Sequence, residues 1–357
     1  MISTKTPKVT VLMPVYNCEL YIKDAVDSII NQTFVDFEFL IIDDASTDKT
    51  VSIIKEYKDS RIKLIEKPVN TGYTNSLNYG LKVAKGEYIA RMDGDDISLP
   101  ERFAKQVTFL DSNPDVILCG TLYQIIGSEK ICNHPLTHEE IKVKLISGCY
   151  IAHPTVMFRK VTFYFYNLEY DPNMEPAEDY DLWTRIVFLG KMANIGEVLL
   201  YYRIHSQQTS IARSERQGKI SRELRNRMLQ KVVPTVNFKF HSFDLDSKLD
   251  EKEFHLGELQ SIIKTIDYII NKNNEKAIFD QTIFSKEMFE EKEYLCRVLS
   301  AKSNRYSFIN IINVLYYFPS FFVIVGIKKS VVFIGRNLFF KIKNEFFKKK
   351  SKLDLLM

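Results

Sequence analysis

The chain has 357 residues, enough for one large domain or two with a substantial core. Its composition is ordinary for a globular protein, and a net charge of only +4 gives no reason to expect a nucleic-acid partner. The five cysteines are scattered with no Cys-x-x-Cys spacing, which points away from a zinc or disulfide framework and towards a reducing, cytosolic setting. No apolar leader precedes the first strand pattern, so no signal peptide is expected.

Strand and helix patterns alternate through the first hundred or so residues. Val9–Met13 is a short run of strand formers, and Ile22, Val26, Ile29 and Ile30 then make a helical stripe. Phe37–Ile42 is the next strand, and Asp48 is placed to cap a helix carrying Val51 and Ile54. Ile62–Ile65 is a third strand. A helix with Leu77, Gly80, Leu81 and Ala84 on one side leads to Gly86, which suits a C-cap. Tyr88–Met92 is the fourth strand, and Ser98-Leu-Pro-Glu101 reads as a capping box for a helix through Phe103, Val107 and Leu110. Repeated βαβ units predict a largely parallel sheet covered on both faces.

The order loosens after Val116–Leu118. Cys149–Phe158 is apolar and strand-like around His153-Pro154, Asp179–Leu189 reads as a helix, and Val198–Ile204 as a strand. From Ser214 to about Ser300 the chain is helical and charged, with Ile262, Ile266, Ile269 and Ile270 in one stripe. The end differs. Residues 308–327 are strongly apolar but interrupted by Asn310, Asn313 and Pro319, and residues 328–352 interleave lysines with phenylalanines. Such a basic, aromatic-rich stretch favours an anionic membrane surface. The expected divisions are a catalytic domain over 1–212, a helical extension over 213–305 and a membrane-associating tail over 306–357.

The chemistry gathers where apolar runs end: Asp43-Asp44, then Asp93-Gly94-Asp95-Asp96, then Glu178-Asp179. Acids do not belong inside buried strands, and just past strand C-termini they stand where α/β sheets bind ligands. Three such clusters suggest a divalent cation, a polyphosphate and a base close together, hence an enzyme handling a nucleotide. An EF-hand reading of the second cluster fails, because the later ligands and the glutamate at position twelve are missing. A dinucleotide fold fails too. The first strand ends in Pro14-Val-Tyr-Asn17 rather than a Gly-x-Gly-x-x-Gly turn.

Val11-Leu-Met-Pro-Val-Tyr-Asn17, Ile42-Asp-Asp-Ala-Ser-Thr-Asp48, Asn70-Thr-Gly72, Ala90-Arg-Met-Asp-Gly-Asp-Asp96, Glu178-Asp-Tyr-Asp-Leu-Trp183 and Tyr202-Arg-Ile-His-Ser-Gln-Gln208 follow in that order. Together they resemble family 2 glycosyltransferases of the GT-A fold, over roughly residues 7–212. The resemblance implies an α/β, Rossmann-like mixed sheet with a helical region behind it. It also implies transfer of one sugar from a nucleoside-diphosphate sugar, a UDP-sugar first among the candidates, to a hydroxyl of a glycan or lipid-linked saccharide acceptor. Surface-glycan synthesis at the cytoplasmic face of a membrane is the implied setting.

By position, Pro14, Tyr16 and Asn17 would line the nucleotide pocket, with Asn70 and Gly72 nearby. Asp44, or Asp43 beside it, would contact the uracil or ribose. Asp93 and Asp95 would form the metal and diphosphate motif with Mn²⁺ or Mg²⁺, Asp95 being the direct ligand. Asp179 would be the catalytic base, with Glu178 its near competitor. His153 falls on the acceptor side, Trp183 in the core or as an acceptor-facing wall, and His205 and Gln208 in a segment similar to the family's loop over the donor. The Gln-x-x-Arg-Trp motif of processive members is absent, which suits single additions. A non-catalytic member of the fold is the alternative.

Overall fold

The computed structural model describes residues 6–206, 208, 213–237 and 256–301, with Val331, Ile334 and Gly335. They divide into two compact units, Met1–Met228 and Leu229–Met357. The first unit therefore runs past the limit of 212 drawn from the sequence and includes the helix Ser214–Gln230 almost to its end.

Its centre is four parallel strands in the order β3-β2-β1-β4: β1 Val9–Val15, β2 Phe37–Asp43, β3 Ile62–Glu66 and β4 Tyr88–Arg91. Every residue of β1 is buried, as a central strand covered on both faces requires. The connecting helices are α1 Ile22–Ile30, α2 Thr50–Lys55 and α3 Tyr73–Val83. In α1 the buried residues are Ile22, Ala25, Val26 and Ile29, one face of a 3.6-residue period. Helix α3 lies directly on β1, since a Cβ on Gly80 would fall 2.2 Å from a methyl of Leu12.

Beyond β4 the sheet changes character. The chain adds the two-residue β5 Ile97–Ser98, α4 Arg102–Ser112, β6 Val116–Ile125, β7 Ile131–Cys132, α5 His138–Lys144, β8 Met157–Arg159, α6 Lys160–Phe165, α7 Glu178–Ile186 and β9 Lys191–Tyr202. The sheet continues β4-β8-β6-β9-β5, with β7 on β6; β8 is antiparallel to both neighbours and β9 parallel to β6. The parallel prediction holds for the βαβ half and gives way to mixed pairing where the alternation of patterns stops.

Three local expectations are corrected. Gly86 is not a C-cap, because α3 ends at Val83 with Ala84 after it. Gly86 is small because β1 passes against it: a Cβ there would lie 2.3 Å from the Thr10 amide nitrogen. Ser98 caps nothing. It pairs with Leu200 of β9, its hydroxyl accepts from Gln32, and the N-cap of α4, Glu101, makes no side-chain cap bond. Among the described residues a capping box stands instead at Thr137 with Glu140, at the start of α5. Cys149–Phe158 is not one strand either: a single helical turn, His153–Thr155, precedes β8.

The second unit contains α9 Leu256–Lys276 and α10 Gln281–Ala301, with α8 being Ser214–Gln230. Ile262, Ile266, Ile269, Phe279, Phe284 and Met288 are buried there. Among the described residues no helix is long and apolar enough to cross a membrane. The apolar run 308–327 lies outside the described residues, as does nearly all of the basic stretch after it.

Candidate active site

The parallel strands deliver the first acids to one edge of the sheet. Asp43 closes β2 opposite Val15 and Glu66. Its Oδ2 accepts the Ser46 amide at 3.1 Å, while Oδ1 is buried with no hydrogen-bond partner among the described residues. A buried carboxylate oxygen left this way is costly unless a ligand serves it. Asp44, equally buried, is fully engaged. Oδ1 takes Lys67 Nζ at 2.5 Å and the Thr71 amide at 3.1 Å, and Oδ2 takes the Gly72 amide at 2.8 Å. The Asp44 carboxylate thus pins the Lys67–Gly72 loop, and Asp43 keeps the open oxygen.

Around them, Tyr16 is exposed, Pro14 is buried within β1 opposite Ile42, and Asn17 adopts the left-handed conformation that asparagine tolerates. The Asn17 side chain accepts the Thr47 amide at 2.9 Å, tying the first and second motifs together. Asn70 Oδ1 accepts from Gly72, whose φ of 89° and tight approach to Glu175 leave no room for a side chain.

The acid turn after β4 brings Asp93, Asp95 and Asp96 so close that one ligand atom from each lies within 4.8 Å of the others. Arg91 pairs with Asp93. Burial and the neighbouring negative charges raise the proton affinity of Asp96 well above the ordinary carboxylate value, and one of its oxygens has no hydrogen-bond partner among the described residues. Asp93 is also raised, by burial and by Asp95, against the pull of Arg91. The far side of the turn is clamped by the end of β9. The Arg203 amide donates to Asp96 at 2.8 Å, its guanidinium donates to the Asp95 carbonyl at 2.7 Å, and His205 Nε2 lies 2.9 Å from Asp95 Oδ2. Tyr21 of the segment before α1 stacks on both Arg203 and His205. Crowded carboxylates with an orphaned buried oxygen and an adjacent imidazole fit a divalent cation of the Mn²⁺ or Mg²⁺ type.

Glu178 and Asp179 occupy the first turn of α7, so Asp179 is inside the helix rather than its cap. Asp179 is half-buried; its Oδ1 accepts the Tyr180 amide at 2.6 Å, and the thiol of exposed Cys149 stands 3.8 Å from Oδ2. Burial raises the proton affinity of both carboxyls, and the charge of Asp179 adds to the rise at Glu178. Arg91 connects the two acid groups, since its buried charge acts on Asp93, Glu178 and Asp179.

Two residues considered for the acceptor side lie deeper than that. His153 is buried, bonded through Nε2 to the Tyr170 hydroxyl at 2.9 Å. Trp183 is fully buried, donates to the Ile151 carbonyl and meets His153 edge-on at 5.9 Å, so it belongs to the core. Gln208 donates to the Tyr202 hydroxyl, closing the turn that carries His205.

The sequence profile of glycosyl transferase family 2 matches residues 10–169. An uncharacterised glycosyltransferase of Haemophilus influenzae is 31% identical over 307 residues, which cover 81% of this chain and 94% of that protein. The chain belongs to glycosyltransferase family 2. The O-antigen biosynthesis glycosyltransferase WbnJ of Escherichia coli is 34% identical over 213 residues, 56% of this chain and 81% of WbnJ. The fold is GT-A. Residues 1–349 of Staphylococcus aureus TarS, crystallised with UDP-GlcNAc, superpose with a TM-score of 0.56 at 19% identity, over 80% of this chain and 90% of that one.

Within this family 2 glycosyltransferase, the residues that sequence reasoning missed are connectors. Arg91 lies inside β4, where the strand pattern gives it no role of its own. Tyr73, whose hydroxyl donates to Glu178, and Cys149 carry no motif. Only a count of buried charges around Glu178-Asp179 would have called for a cation such as Arg91.

Proposed function

We propose that this glycosyltransferase moves one sugar from a UDP-sugar to a hydroxyl of a growing surface glycan, by a cation-assisted displacement that inverts the anomeric centre. The observation that carries this reading is the joining, through one buried arginine, of a three-carboxylate turn to a carboxyl whose proton affinity is raised. The open oxygen of Asp43 would accept from the base or ribose, and the ring of Tyr16 would cover the base. Asp93, Asp95 and Asp96, with His205 beside Asp95, would hold Mn²⁺ or Mg²⁺, with Asp95 the principal ligand. Bound there, the ion neutralises charge developing on the departing diphosphate.

Asp179 would take the proton of the acceptor hydroxyl as that oxygen forms its bond to the anomeric carbon. The carbon–phosphate-oxygen bond breaks, and its electron pair leaves on the nucleoside diphosphate. Elevation of the Asp179 proton affinity suits a base working near neutral pH. With one base and no nucleophile assigned on the donor side, direct displacement inverts the stereocentre. The UDP-GlcNAc seen in TarS and the O-antigen role of WbnJ support a UDP-sugar and a glycan acceptor. The intact acid turn and Asp179 speak against a non-catalytic partner subunit.

The tail composition supports peripheral attachment to an anionic membrane surface on the cytoplasmic side, beside a lipid-linked acceptor. A panel of UDP-, GDP- and dTDP-sugars, assayed for release of the nucleoside diphosphate with Mn²⁺, tests the enzymatic reading. No release from any donor, with or without saccharide acceptors, would refute it. Pelleting with anionic but not neutral vesicles, reversed by high salt, tests the tail.

A further inference from the structure

Glu178 and Asp179 are adjacent in the chain but sit in unlike surroundings. Glu178 is 3% exposed. The groups acting on its carboxyl come from five places in the chain: the Tyr73 hydroxyl of α3, donating to Oε2; His153, with Nδ1 3.6 Å from Oε1; Arg91 of β4; the Cys149 thiol; and Asp179 of its own helix. Tyr170 stands behind His153, bonded to Nε2. Arg91 is the one cation in this set, and it is already paired with Asp93.

Two carboxyls in a dry pocket that share a single, occupied cation do not both ionise cheaply. The proton settles where water is scarcest and fewest donors hold an anion. Among the described residues Glu178 accepts one side-chain hydrogen bond, from Tyr73, which serves a neutral carbonyl oxygen as well as a carboxylate; its other oxygen faces His153 Nδ1 at 3.6 Å, beyond hydrogen-bond length. Asp179 is less deeply buried, and two donors, the Tyr180 amide and the Cys149 thiol, favour its anion.

We propose that Glu178 is a positioning residue that works as a neutral acid: buried beside His153 and held by the Tyr73 hydroxyl, it fixes the first turn of α7 and leaves Asp179 as the single anion facing the acceptor. The second half of this statement rests on the proposed role of Asp179 as base; the first half does not. The raised proton affinity of Glu178, from burial and then the Asp179 charge, agrees with the geometry.

The test that needs no substrate uses the full chain with ¹³C at the glutamate side-chain carboxyl carbon, its spectrum differenced against Glu178→Gln. The Glu178 carboxyl is expected protonated at pH 7 and titrating above the ordinary glutamate range. A carboxyl already ionised at pH 7 overturns the proposal. The kinetic arm follows UDP release from the donor that the panel selects. Glu178→Gln preserves the Tyr73 hydrogen bond and the volume of the side chain in neutral form and is expected to retain kcat within about 5-fold, whereas Glu178→Ala loses about 20-fold or more with donor KM unchanged. A Gln variant as damaged as Asp179→Asn makes Glu178 an anionic participant and overturns the proposal. Full activity in Asp179→Asn would instead overturn the base assignment, and the titration of Glu178 tells the two failures apart.

Discussion

Replacing Asp44 by asparagine separates a residue that binds the nucleotide from one that builds the loop beneath it. The Asp44 carboxylate meets three donors, Lys67 Nζ and the amides of Thr71 and Gly72. An asparagine keeps one acceptor and turns the other into an NH₂, so either flip sets a donor against a donor. Lys67 is 14% exposed and Asp44 2%, so the pair is screened little by solvent. Removing one partner of a buried ion pair costs about 3–5 kcal/mol. Lys67 keeps the hydroxyls of Thr71 and Ser76, which argues for the lower end, about 3 kcal/mol. In a domain of this size that corresponds to a fall of roughly 6–12 °C in Tm. Thermal unfolding measures it, and titration calorimetry with UDP and Mn²⁺ measures the second effect, weaker nucleotide binding. Lys67→Met is the companion: equal weakening in both variants means that Asp44 acts through the loop, and weakening in Asp44→Asn alone means that it touches the nucleotide. A Tm within about 1 °C of wild type in Asp44→Asn would refute the energetic reasoning.

Asp95→Asn is expected to abolish transfer while leaving the fold intact, EDTA to silence the wild type, and Mn²⁺ to raise the wild-type Tm by relieving the carboxylate crowding; full turnover in chelator would exclude the cation reading. Asp179→Asn should lower kcat by about 10² with UDP affinity unchanged, in line with loss of a general base. Because Asp179 is raised to about 6, mainly by burial, and must be ionised to act, wild-type kcat should fall as pH drops through that value. A profile flat down to pH 5 contradicts the assignment. Gly86→Ala places a Cβ 2.3 Å from the Thr10 nitrogen and 2.6 Å from the Val9 carbonyl carbon, both backbone. About 3 kcal/mol or more of stability should be lost, read by urea denaturation.

The βαβ half was legible because its strands are buried on both faces and its helices on one, so the two periods show plainly. Past Val116 the strands are short, bulged or interrupted, and β6 and β9 shift register against each other, which no single period records. The acids at the strand ends stood out by their contrast with what precedes them. Their partners did not. Asp44 is held by residues 23–28 positions downstream, and Glu178 by a tyrosine 105 positions upstream. His153 shows the converse limit: residue type suggested the acceptor side, but nothing local said that its side chain turns inward, whereas the core reading of Trp183 fits its full burial. Ser98 satisfied a capping pattern whose geometry was pre-empted by pairing with β9.

The clamp on the acid turn gives the chain an order of assembly. Asp95 and Asp96 are synthesised early, yet the backbone amide and imidazole that hold them arrive 107 and 110 residues later, with Arg203 and His205. The loop that Asp44 secures is complete by Gly72, so the nucleotide side can organise while the cation side still lacks half its frame. On the proposed reading, an unfinished chain leaving the ribosome can cradle a nucleotide but cannot neutralise its departing phosphates. Catalytic competence would thereby be deferred until the chain has passed His205, and copies that end before Arg203 would be inert towards the cell's activated sugars rather than wasteful hydrolases.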